Sequence, residues 1–363
     1  MGLTRIQTMT RVLVIGGFLG AGKTTLMLRT ARRLAAQGKR VGLVTNDQAP
    51  DMVDTRLVRL AEFSVAEVAG GCICCRFNDF TDEIGRLLRE LEPDVLLVEP
   101  VGSCVDLAAT VLRPLSHYLP GLAICPLTTV VDPAAWLRMK QRHSLPAETA
   151  YIYRKQLAEA DILLLNKSDI IPRRTIEIAR AQIDALVPRA QILSISAQTG
   201  AGIGEWCDQA LASQGSGRPI DVDYDTYAKG EAWLGWLNAI LELQAGRAAH
   251  WEQVLPEFML GVCGALGESG ATPAHLKCLL SSGGFIAAAN ATLGSRSPTV
   301  RVLADGRAKR IAELVVNLRI ALPPRYLRPA LTTAMENLKG IAGKILSECS
   351  FAPARPVPQH RMA

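Results

Sequence analysis

The chain has 363 residues, 49% of them apolar and 20% charged, with a formal net charge of +6. That length supports two domains with cores of their own, which excludes a disordered chain and a small disulfide scaffold. Its apolar runs are shorter than the roughly 18 residues a membrane span needs, and its basic residues are spread out, so the chain is read as cytoplasmic with neither membrane nor nucleic-acid partners.

Residues 11 to 213 alternate short β-branched runs with longer helical patterns. This predicts parallel strands joined by crossover helices, an α/β doubly wound and mostly parallel sheet. The strands fall at 12 to 16, 41 to 45, 64 to 68, 94 to 99, 127 to 132, 161 to 166 and 191 to 196. Between the first strand and the first helix stands GFLGAGKTT, with Gly17, Gly20, Ala21, Gly22, Lys23, Thr24 and Thr25 in the order and context of a P-loop. Glycines let backbone N–H groups turn onto phosphate oxygens, Lys23 adds a cation on the β/γ side, and the Thr24 hydroxyl is a ligand for magnesium.

The second strand ends at Asp47, a magnesium or sensor candidate at the head of a polar, switch-like loop. The third leads into EVAGGCICC, where Cys72, Cys74 and Cys75 are too close in sequence for a disulfide framework and suit thiolate ligation. Regular β geometry would point Cys75 away from the other two, so all three converge only if the backbone bends. Three thiolates suit zinc, with a fourth position open to Asp47, Asp51, Cys104, a histidine or water. The remaining cysteines, at 125, 207, 263, 278 and 349, read as core. His275 and Cys278 would face opposite sides of a strand.

The fourth strand ends in Glu99, placed to hold magnesium or to orient an attacking water, with Gly102 free to meet a γ-phosphate. In LLLNKSD, Asn166, Lys167 and Asp169 follow an apolar strand. A carboxylate at Asp169 can accept from N1 and the exocyclic amine of guanine, a pairing adenine does not offer. Ser196 and Ala197 in SAQTG complete this set, so the nucleotide is GTP or GDP and the chain is read as a GTPase. Beyond a Gly/Ser/Pro-rich break at 213 to 223, residues 222 to 347 read as a smaller C-terminal α+β domain ending in a helix from about 325 to 347. The proline-rich residues 348 to 363 read as a disordered tail.

The P-loop GGFLGAGKTT, GGCICC, the strand ending in Glu99, NKSD and SAQTG, in that order, resemble the CobW-type GTPases, relatives of the nickel-inserting GTPases of urease and hydrogenase maturation. The likeness covers about 200 residues. It implies a metallochaperone that binds zinc, or cobalt, at Cys72, Cys74 and Cys75. Such a protein passes the metal to a client metalloenzyme or metal-cofactor assembly protein, with nucleotide state opening and closing the site. The family's Asn-Glu-Phe-Gly after the second strand is replaced by Asn46, Asp47, Gln48 and Ala49, and Cys104 is an addition. No arginine finger is identifiable, so a client or a second protomer in a homodimer would complete the catalytic site. Two other readings share these motifs: a metal-responsive GTP-dependent switch without delivery, and a P-loop kinase or ligase with a structural zinc site.

Overall fold

A computed structural model of the chain describes residues 9–47, 53–61, 63–139, 146–246, 249–267, 273–292 and 297–362. The first layered unit is built on β1 (Thr10–Gly17), β2 (Val41–Asp47), β3 (Ser64–Ala69), β4 (Val95–Glu99), β5 (Leu122–Ile124), β6 (Thr128–Val131), β7 (Ile162–Leu165) and β8 (Gln191–Ser194). They lie in the order β3-β2-β4-β1-β6-β7-β8, all neighbours parallel, with β5 also beside β1. The order reverses between β1 and its neighbours, which puts the P-loop at the switch point where such sheets bind ligands. The central strands β4, β6 and β7 are buried along their whole length because helices cover both faces.

Those helices are α1 (Lys23–Ala36), α2 (Val53–Leu60), α3 (Phe77–Leu91), α4 (Arg113–Tyr118, preceded by a π turn at 108–112), α5 (Pro133–Met139), α6 (Ala147–Glu159), α7 (Arg173–Leu186) and α8 (Ile203–Ala212). All seven strands expected from the sequence are present, and the three-residue β5 is the one it did not show. No helix among the described residues is long and apolar enough to cross a membrane.

The second unit contains α9 (Tyr224–Ala232), β9 (Gly235–Ala245), α10 (Trp251–Gly267), β10 (Pro273–Ser282), β11 (Phe285–Thr292), β12 (Thr299–Asp305), β13 (Ile311–Ile320), α11 (Leu327–Glu336) and β14 (Ile341–Phe351). Its six strands form an antiparallel sheet in the order β12-β11-β10-β13-β9-β14. One face is apolar: Leu276, Cys278 and Leu280 of β10 join Leu314, Val316 and Leu318 of β13 under α10 and α11. By strand alternation His275 and Lys277 face the other way, toward the first unit, so His275 and Cys278 do face opposite sides.

Two expectations for the C-terminal end fail. The final helix stops at Glu336, and residues 341 to 351 form β14, paired antiparallel with β9. Ile341, Ile345 and Leu346 have helix-like spacing, yet Gly340 at φ 72° turns the chain onto the open edge of β9, where the ladder satisfies the backbone. Residues 348 to 363 are likewise no disordered tail as far as the described residues run. After β14 the segment crosses the first unit, bonded through the N–H groups of Val357, Gln359 and Met362 that lie between and beyond its prolines. Cys125, Cys207 and Cys278 are core as expected, Cys263 is partly buried, and Cys349 on β14 is exposed.

Candidate functional site

The phosphate end of the site follows from backbone geometry. Gly17 has φ 133° and packs directly on the Val130 carbonyl, and Gly22 has φ 103° at the start of α1, conformations a side chain would resist. Lys23 and Thr24 are buried at the first turn of α1. Lys23 Nζ lies 4.0 Å from Glu99 Oε1, and burial lowers its pKa while Glu99 opposes that shift. The Thr24 hydroxyl lies 3.0 Å from Glu99 Oε1 and 2.9 Å from Asp54 Oδ1. Burial and the nearby Asp54 push Glu99 up to about 7, and its Oε2 is buried with no partner among the described residues. A hydroxyl and an under-satisfied carboxylate are the hard oxygen donors magnesium takes, so the residues fit that ion.

The NKSD segment is tied to this loop. Asn166 donates to the Ala21 carbonyl at 2.8 Å and accepts from Ala197 N at 2.8 Å. Ser196 Oγ donates to Asp169 Oδ1 at 2.7 Å, and Lys167 pairs with Asp132 at 2.7 Å. The structure therefore brings Gly17, Gly20, Ala21, Gly22, Lys23, Thr24 and Thr25 together with Asn166, Lys167, Asp169, Ser196 and Ala197. Asp47 closes β2, but its side chain, like all of Asp51, lies outside the described residues.

The cysteines sit on a tight turn after Gly70 (φ 79°) and Gly71 (φ 157°), in which Cys75 N and Arg76 N both donate to the Cys72 carbonyl at 3.0 Å. This is the bend that three-way convergence required. The sulfurs of Cys72, Cys74 and Cys75 all lie within 4.8 Å of one another, at 2.9, 3.1 and 3.8 Å. A tetrahedral zinc site with Zn–S near 2.3 Å separates its sulfurs by about 3.8 Å, so a metal needs only a small outward shift. Cys104, buried on the segment after Glu99, lies outside this group of three mutually close sulfurs. The neighbouring thiols, Cys104 foremost, hold Cys72 well below the ordinary thiol range, whereas Cys75 is pushed up to about 11. Three thiols this close form a cluster whose protons a soft cation can replace.

Phosphate and sulfur sites are joined by one buried side chain that sequence reasoning passed over. Asn46 Nδ2 donates to the Val68 and Gly71 carbonyls at 2.8 and 2.7 Å. Its Oδ1 accepts from Ile73 N at 3.0 Å and Val101 N at 3.3 Å. The cysteine turn and the segment following Glu99 are therefore held by the same amide. That segment is short: a Cβ at Gly102 would stand 3.0 Å from Lys23 Nζ, and the buried Cys104 follows two residues later. Gln156 fixes it from behind, donating to the carbonyls of Gly102 and Cys104 at 3.1 and 2.9 Å.

Three further elements converge here without a sequence signal. Asp54 of α2 reaches Thr24, where attention to the strand end had suggested Asp47. Lys277 of β10 reaches Asp54 at 2.6 Å. The C-terminal segment covers the cysteines: Val357 N donates to Cys75 Sγ at 3.3 Å and Gln359 N to the Cys74 carbonyl at 3.0 Å. Arg361 pairs at 2.7 Å with Asp106, which is fully buried, and the His360 ring packs on Phe77 and Tyr118.

The model of the "CobW/HypB/UreG, nucleotide-binding domain" family matches residues 11–194. A zinc chaperone CobW of Sinorhizobium sp is 29% identical over 212 residues, covering 52% of this chain and 58% of that protein. The zinc chaperone YeiR of Escherichia coli (strain K12) is 35% identical over 163 residues, covering 44% and 47% respectively. The chain spans about half the length of the curated relatives it matches. Among solved structures, HypB from Helicobacter pylori in complex with nickel aligns with 17% identity and a TM-score of 0.41, covering 57% of this chain and 88% of that one.

Proposed function

Because the chain belongs to the CobW/HypB/UreG family of P-loop nucleotide-binding proteins, we propose that it is a GTP-hydrolysing metallochaperone. Its cargo is a transition metal, zinc first and cobalt second, bound at Cys72, Cys74 and Cys75 and delivered to a client metalloenzyme or metal-cofactor assembly protein. The zinc-chaperone relatives and the converged sulfurs support the metal, and the family supports nucleotide hydrolysis.

In this reading the P-loop amides and Lys23 receive the phosphates, while Asp169 selects guanine. Thr24 and Glu99 would hold magnesium, which supplies charge neutralisation on the β- and γ-oxygens when bound. Glu99 orients the water that attacks the γ-phosphorus as the bond to the bridging oxygen breaks, leaving GDP and phosphate. The terminal phosphate also draws on the segment from Glu99 to Cys104, since Gly102 lies beside Lys23. Any displacement of that segment is felt at the cysteine turn through Asn46, so metal affinity differs between GTP and GDP states. The observation that carries the proposal is the Asn46 amide shared by the two loops.

Metal titration of the wild type and of Cys74→Ser tests the site. Loss of one tightly bound equivalent in the variant is expected, and unchanged stoichiometry overturns it. Transfer of the bound metal to an apo-protein, faster with GTP than with GDP, separates delivery from a switch that only senses metal.

A further inference from the structure

The C-terminal sheet does more than pack beside the first unit. The P-loop itself touches it: a Cβ on Gly20 would stand 2.8 Å from Thr292 Cγ2 and 3.3 Å from the Ala274 carbonyl. Helix α2 is fastened to the same face, with Val53 N donating to Asn317 Oδ1 at 3.0 Å and Arg56 paired with Glu313. Lys167 of the guanine motif reaches Thr292 Oγ1 at 3.4 Å. This face is polar where the opposite one is apolar, carrying His275, Lys277, Asn317 and Arg319, with Nδ1 of the buried His275 unpartnered among the described residues.

Lys277 is the residue this arrangement pushes furthest into the phosphate site. Its Nζ contacts both oxygens of Asp54, at 2.7 and 2.6 Å. The same Asp54 accepts from Thr24 at 2.9 Å, whose hydroxyl lies 3.0 Å from Glu99, itself 4.0 Å from Lys23 Nζ. Lys23, Lys277, Asp54 and Glu99 thus form a largely buried group of two basic and two acidic side chains. A nucleoside triphosphate with its magnesium adds about two negative charges to this place, and a second buried cation answers that addition. A diphosphate adds roughly one less.

We propose that Lys277 is a phosphate-binding residue of the nucleotide site, contributed in cis by the C-terminal domain. Asp54 holds it when no triphosphate is bound, and the γ-phosphate takes it over. The C-terminal domain then reads the nucleotide through the Lys277–Asp54 pair, and the finger residue not identifiable in the first domain is a lysine from the second. A compact ammonium on a flexible stem suits an exchange between carboxylate and phosphate partners. The inference rests on the guanine-nucleotide reading above and names the residue that distinguishes triphosphate from diphosphate.

The test measures the affinity of the full chain for a non-hydrolysable GTP analogue and for GDP, in the wild type, Lys277→Met and Lys277→Arg. Loss of a charge-assisted contact to the γ-phosphate should weaken analogue binding in K277M about tenfold or more, leave GDP within about threefold, and be partly rescued in K277R. Thermal unfolding confirms that each variant is folded. An unchanged ratio of analogue to GDP affinity in a folded K277M overturns the role of Lys277 and leaves the GTPase reading standing. A wild type that binds neither guanine nucleotide overturns both.

Discussion

Asn46→Ala removes the side chain on which both loops depend, and its cost follows from the bonds it makes. Two are donated and two accepted, and three of the four are buried, the bond to the Gly71 carbonyl being partly open to solvent. Truncation strands the N–H groups of Ile73 and Val101 and the carbonyl of Val68. At about 1 kcal/mol for each buried group left without a partner, destabilisation of about 3 kcal/mol is expected. Urea unfolding followed by far-UV circular dichroism measures it, with the midpoint lowered and the slope unchanged. The functional effect is more diagnostic than the stability loss. With the amide gone, the ratio of metal affinities in the GTP-analogue and GDP states should collapse toward one, while each site still binds its ligand. A variant that loses less than about 0.5 kcal/mol, or that keeps the wild-type ratio, refutes the idea that this side chain couples the sites.

Three other outcomes follow from the same geometry. Asp169→Asn exchanges an acceptor pair for an amide, so guanine-nucleotide affinity should fall roughly a hundredfold and xanthine-nucleotide affinity rise, read by competition binding; equal affinities for guanine in both forms would count against the base assignment. Burial pushes Glu231 up to about 8 from its usual 4.5, so the folded protein binds this proton more tightly than the unfolded chain does. Its stabilising contribution is therefore complete below about pH 4.5 and is lost as pH rises toward 8, by an amount on the order of 4 kcal/mol. Denaturant titrations across that window should show Glu231→Gln losing less stability than the wild type, and parallel pH profiles would contradict this. Arg361→Met uncouples the C-terminal segment from the buried Asp106, so Cys75 should be alkylated several-fold faster, as followed by mass spectrometry. An unchanged alkylation rate would show that the segment does not guard the thiol.

Much of the first domain was legible because its signals are local. An apolar strand, a glycine loop and an amphipathic helix in succession define the P-loop within about twenty residues, and the seven strands stand where β-branched runs predicted them. The convergence of Cys72, Cys74 and Cys75 was readable as a condition, a bend in the backbone, which the glycine pair at 70 and 71 supplies. Contacts between distant segments were not readable. Asn46 looks like any polar residue at a strand end, and only the fold shows that its amide spans two loops. Asp54 was hidden because it lies on helix α2, which carries its carboxylate to Thr24 from a position with no strand-end signal. Lys277 lies more than 250 residues from the P-loop, and strand alternation points it inward only once the other face of β10 is known to be core. The C-terminal misreadings have one cause: proline content and helix-like spacing are compositional cues, and the edge of β9 with the seat beside Phe77 overrides both.

The account is tested most directly by measuring zinc affinity of the full chain with GDP and with a non-hydrolysable GTP analogue, alongside the affinity for that analogue with and without zinc. Linkage requires the two ratios to be equal, and coupling through Asn46 and residues 99 to 104 predicts a common factor of about five or more. Identical zinc affinity in both nucleotide states would contradict the claim that the phosphates and the sulfurs share a movable stretch of chain.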